Sequence, residues 1–106
     1  MNGKYRQIAE FRRFIRENGV ECAENTILYT FIKPAEYEIA YMPDELLQVQ
    51  VTALVYDTLN GTVQAAYRSS SGNFLRIADV EDFEWQEIRH IAEHLGVKIE
   101  IDETNA

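Results

Sequence analysis

Glu87, His90 and His94 are the residues of this chain best spaced for chemistry. Steps of three and four place them on one face of a helix. Two imidazoles at i and i+4 can chelate a divalent ion, with the carboxylate as a third ligand. His-Glu-x-x-His is absent. The face lies opposite the apolar stripe of the same helix, so solvent is expected there rather than the pocket and supporting shell of a catalytic metal. The expectation is an ordinary polar face, with no metal and no cofactor.

The other candidates are weaker. Ser69, Ser70 and Ser71 lie in a turn without the Gly-x-Ser-x-Gly elbow of a hydrolase nucleophile. The same turn lacks the glycine patterns that cradle phosphates. Cys22 has Glu21 and Glu24 as neighbours, and negative charge disfavours the thiolate; a small buried residue is expected. The carboxylate groups Glu36/Glu38, Asp44/Glu45 and Glu81/Asp82/Glu84 carry no sign of the desolvation that separates an acid from a base. Tyr29, Tyr37, Tyr41, Tyr56 and Tyr67 fall in predicted strands, where core and sheet packing accounts for them. A base-stacking platform would also need positive charge.

What dominates instead is charge. Eighteen acidic residues face ten basic ones in 106 residues, a formal net charge of −8. Residues 1–18 hold five basic and two acidic residues, whereas from Asp79 onward nine acids accompany two bases. Such a balance repels nucleic-acid backbones and anionic membranes and suits binding to basic surfaces. The arginines of the first helix, Arg6, Arg12, Arg13 and Arg16, are expected to pair with the acidic C-terminal half, within the chain or in a homodimer.

The elements that position these residues read as one α+β domain over residues 1–106, with residues 103–106 a frayed tail. At 46 % hydrophobic and 26 % charged residues the composition is that of a globular domain. One cysteine permits neither an intrachain disulfide nor a Cys-based zinc site, which fits a cytoplasmic location. No apolar leader is evident, and no apolar run approaches the ~18 residues of a membrane span.

Ile8, Phe11 and Ile15 predict a helix over residues 4–17, stopped by Asn18-Gly19. Thr26–Ile32 and the alternation about Tyr37, Ile39 and Tyr41 predict two strands, with Met42-Pro43-Asp44-Glu45 as a break. Leu46 and Leu47 are expected in a short helical turn or a loop facing the core. Gln48–Tyr56, the Asp57–Gly61 turn and Thr62–Arg68 predict a hairpin, and Asn60-Gly61-Thr62 reads as turn rather than glycan site. Phe74–Ala78 completes an antiparallel meander of about five strands. A second helix is expected from Val80 to Leu95, capped by Asp79 and stopped by Gly96, with Trp85 buried between it and the sheet. Val97–Ile101 alternates as a final short strand. The helices should cover one face of the sheet.

Size and charge favour a non-enzymatic acidic protein-binding module, an inhibitor that blocks a basic, nucleic-acid-binding site on a partner protein in the manner of immunity or anti-defence proteins. Two alternatives stand beside it: a structural or regulatory subunit or small-ligand binder, and a small enzyme or metal-dependent protein using His90 and His94. The expected partner-binding residues are Glu81, Asp82, Phe83 and Glu84. If the second helix begins near Val80, Phe83 is an exposed anchor ringed by carboxylates. If the helix begins later, Phe83 folds into the core.

Overall fold

The computed structural model describes residues 3–69, 72 and 74–100, and the side chains of all of these except 41 and 42. The chain runs α1 (Gly3–Asn18), β1 (Val20–Ala23), β2 (Thr26–Met42), β3 (Glu45–Asp57), β4 (Thr62–Ser69), β5 (Arg76–Asp79), a 3-10 turn (Val80–Asp82) and α2 (Trp85–Leu95). The five strands form one antiparallel sheet in chain order. The α+β class, the leading helix, the meander and the second helix match the pattern of the sequence.

α1 buries Ile8, Phe11 and Ile15, and also Gln7. α2 buries Ile88, Ile91 and Ala92. These side chains share one core with Tyr37, Val49, Val51, Leu54, Tyr56, Val63 and Ala65, which alternate along β2, β3 and β4 on the covered face of the sheet. Tyr29 and Tyr67 pack at the margin of that core. The described strand tyrosines are therefore packing residues, not a platform on the open face.

Gly19 ends α1 for a reason its position after Asn18 does not show. A Cβ there would lie 2.7 Å from the Ile15 carbonyl oxygen and 2.8 Å from Ile27 Cγ2. The glycine lets the chain fold tightly from helix into β1. Gly96 ends α2 as expected, in the left-handed region at φ 72°. The Asp57–Gly61 turn also matches. Asp57 Oδ1 accepts from the backbone N–H groups of Leu59 and Asn60, and Oδ2 accepts from Asn60 Nδ2. These bonds, led by that of the Asn60 side chain, hold the Asp57 carboxyl below its ordinary value.

Several expectations are corrected. The two strands expected before Met42 are one strand, β2, carrying a bulge: pairing to β3 jumps from Thr30↔Ala53 to Ala35↔Val51, so Pro34 sits in the irregularity and needs no ladder N–H. Leu46 and Leu47 belong to β3, not to a helical turn, and Leu46 is exposed. Cys22 lies on β1, an edge strand whose four residues are all exposed, so it is not buried. Trp85 stands at the start of α2, half-buried at the rim of the core, with Lys4 Nζ 5.6 Å from its ring centroid.

Residues 97–100 do not form the described part of a final strand. Val97 is buried, but the backbone beyond it bonds to a side chain instead of a sheet: Gln7 Nε2 donates to Lys98 O at 2.9 Å, and Gln7 Oε1 accepts from Glu100 N at 2.7 Å. Ile101 and the tail 103–106 lie outside the described residues.

Candidate functional site

The acidic corner forms around Phe83, and here the later helix start prevails. Val80–Asp82 make a separate 3-10 turn, capped by Asp79 Oδ1 accepting from Glu81 N, so Asp79 caps this turn and not α2. Phe83 is extended, at φ −79° and ψ 153°, and its N–H bonds back to Val80 O. The break lets Val80 and Phe83 both enter the core. Phe83 is 7 % exposed and meets Tyr67 edge to face, ring centroids 5.7 Å apart. Burial of one such ring is worth ~1.5–3 kcal/mol, and the turn's own hydrogen bonds offset the helical ones forgone. The exposed-anchor expectation for Phe83 is thus overturned. Glu81, Asp82 and Glu84 remain exposed, but Glu84 N donates to Glu87 Oε2 and Lys4 Nζ donates to Glu81 O, so the corner is tied to both helices.

Glu87, His90 and His94 share a helix face, as their spacing requires; His90 and His94 are exposed, as expected of a solvated face, and the three also reach β2. Tyr37 Oη donates to Glu87 Oε1 at 3.2 Å, His90 stacks on Tyr37 with planes 3° apart, and His94 stacks on Phe31. His94 Nε2 lies 2.6 Å from Lys33 O. A carbonyl only accepts, so Nε2 carries the ring proton and is no metal ligand in this state. Among the described residues no three His, Cys, Asp or Glu side chains are placed to hold a metal ion. Burial, then the Glu87 carboxylate beside it, pushes the Tyr37 phenol far above its ordinary value. The cluster is a seam that fastens α2 to β2.

Two arginines of α1, Arg12 and Arg16, make contacts other than those expected, while Arg13 pairs locally, as its spacing from Glu10 allows. Arg12 Nε donates to Gly61 O at 2.7 Å, and Arg16 bonds Tyr56 Oη while its guanidinium lies 5.4 Å from the Tyr56 ring centroid. Arg13 pairs with Glu10 on its own helix. Arg12 and Arg16 thus tie α1 to β3 and to the β3–β4 turn, not to the acidic C-terminal half. Of the serine turn, residues 70 and 71 lie outside the described residues.

What the sequence reading missed is the β2–β3 arm. Among the described residues β4 pairs with β3 as far as Val49↔Ser69, and β2 and β3 run on together past that point to close at Pro43-Asp44. Between Lys33 and Arg68 the chain has five acidic residues and no basic one. Four of these are exposed here: Glu38, Asp44 and Glu45 beyond Val49, and Glu36 at the base of the arm, opposite Gln50, which pairs in turn with Arg68 of β4. Leu46, opposite Ala40 in the ribbon, is 69 % exposed among them. The gap in basic residues was visible in the sequence; that Leu46 faces outward was not. A second exposed apolar group lies at the opposite edge of the sheet: Ile77 on β5, and Phe74 and Leu75 in the segment leading into it.

No family model, curated protein or solved structure matches this chain. No described helix is long and apolar enough to cross a membrane.

Proposed function

We propose that this protein is a non-enzymatic acidic protein-binding module that occupies a basic surface of a partner protein, as an inhibitor of a nucleic-acid-binding site would. The observation that carries this reading is the β2–β3 arm: an exposed Leu46 set among Glu36, Glu38, Asp44 and Glu45, with no cation on the ribbon. An apolar side chain supplies desolvated contact, and the carboxylates supply steering and register. Glu81, Asp82 and Glu84 add to the field but have lost their apolar anchor. The experiment is affinity capture from the native host at ~50 and ~300 mM salt, comparing the wild type with Glu36→Gln, Glu38→Gln, Asp44→Asn and Glu45→Gln combined. The reading requires a partner retained at low salt, released at high salt and lost with the arm charges. A cytoplasmic setting is part of the proposal.

A second reading, a structural or regulatory subunit, is favoured by Phe74, Leu75 and Ile77, which place apolar surface on the edge strand β5 and the segment leading into it, where another copy would cover it. It requires a fixed oligomer in sedimentation, disrupted by Ile77→Lys.

A further inference from the structure

We infer that the outer edge of β2 over Ala35–Met42 takes an extended basic segment of a partner protein as an added antiparallel or parallel strand. This deepens the protein-binding reading and rests on it: it names the mode of contact and the chemistry of the partner.

The edge is open because of how the sheet is built. β1 pairs with β2 only from Thr26 to Leu28. The bulge before Ala35 then interrupts the strand, and His94 takes the Lys33 carbonyl there. From Ala35 to Ala40 β2 regains a regular ladder with β3 on one side, the register shifting again before Met42, and among the described residues no strand lies on the other. Every second residue of such a strand turns its N–H and C=O away from its partner, which is the template that strand addition uses.

Charge selects the occupant. Glu36 and Glu38 share the open face of the sheet, paired across β3 to Gln50 and Gln48. Glu36 accepts from Gln50 Nε2 at 2.9 Å through one oxygen, and an exposed carboxylate has lone pairs for a further donor. A strand added here sets one of its faces beside these two carboxylates, where Lys or Arg at alternate positions would be matched. Its other face lies beside Tyr37 and Ile39 and favours apolar residues. The segment is therefore an alternating basic and apolar strand. A second copy is the poorer occupant: in two-fold pairings centred on Glu36, Tyr37 or Glu38, carboxylates of the two chains stand opposite one another, which is destabilising.

The test uses a synthetic peptide of alternating lysine and valine, titrated into the isotope-labelled full chain and followed by NMR and amide exchange. The proposal expects shift changes and new protection confined to Ala35–Met42. It also expects loss of binding when alternate peptide nitrogens are methylated. Glu36→Gln with Glu38→Gln should weaken binding about three- to tenfold, from two cross-strand charge pairs. Three results overturn it: shifts centred on Glu81, Asp82 and Glu84, binding indifferent to N-methylation, or concentration-dependent protection of the edge without peptide, which would mean a second copy. Should these occur while host-partner capture still depends on the arm charges, strand addition fails and the protein-binding reading stands. If capture is also indifferent to the arm, both fail.

Discussion

Gln7 holds Glu100 by a hydrogen bond from the Glu100 N–H to its side-chain oxygen, 2.7 Å long, across nearly the whole sequence. Its amide nitrogen donates in the same stretch to Lys98 O, so one buried carboxamide does for residues 98–100 what a strand partner would do. Replacing it by the apolar isostere, Gln7→Leu, leaves two part-buried backbone groups unpaired and should cost ~1–3 kcal/mol. Urea unfolding gives the loss. Amide exchange gives its place: the Glu100 amide, protected in the wild type, should exchange freely in the variant.

Phe83→Ala should destabilise by ~3–5 kcal/mol, the range for truncating a buried phenylalanine, because the ring is enclosed against Tyr67. Glu81→Gln and Asp82→Asn, on exposed side chains beside it, should leave the thermal midpoint nearly unchanged. A Phe83→Ala protein as stable as the wild type would return this ring to the surface.

Gly19→Ala should lower stability by ~1–3 kcal/mol through overpacking. The added methyl meets backbone oxygens of Ile15 and Leu28, which cannot swing aside as a side-chain tip can. Thermal unfolding measures this directly.

Alkaline pH should unfold the protein through Tyr37. Its folded-state value is raised, chiefly by burial and then by Glu87. The stabilisation is therefore complete below the unfolded value near 10 and is lost as pH rises past it, because the unfolded phenol ionises where the folded one resists. Tyr37→Phe should flatten this decline while costing some stability at neutral pH, where the bond to Glu87 is missing. Chemical unfolding from pH 8 to 11 (roughly the span of an unperturbed tyrosine's titration) checks the slope.

Local periodicity recovered the elements whose stabilisation is local to their own pattern. Ile8, Phe11 and Ile15 define α1, and Ile88, Ile91 and Ala92 define α2. The β3–β4 hairpin follows from alternation around Asp57–Gly61. Reading failed where a tertiary contact overrides the pattern. Val97–Glu100 alternates like a strand, yet a glutamine from α1 takes its backbone bonds. Pro34 looks like a strand end, yet a bulge absorbs it. Phe83 sits within an apparent helix, yet Tyr67 offers its ring a better place outside one. For the candidate site, the acidic character was legible and the anchor was not. Alternation along β3 puts Leu46 on the open face with Gln48 and Gln50, and the helical turn or loop expected at Leu46 and Leu47 hid that register.

The most direct measurement of the central claim is the association rate of the captured partner across ionic strength. It should be made for the wild type, for the arm variant neutralised at Glu36, Glu38, Asp44 and Glu45, and for a corner variant neutralised at Glu81, Asp82 and Glu84. Steering by the arm predicts that its neutralisation slows association and flattens the salt dependence, at an unchanged thermal midpoint, more than neutralising the corner does. Leu46→Ser should instead hasten dissociation. An arm variant that associates at the wild-type rate with the wild-type salt dependence would contradict the account.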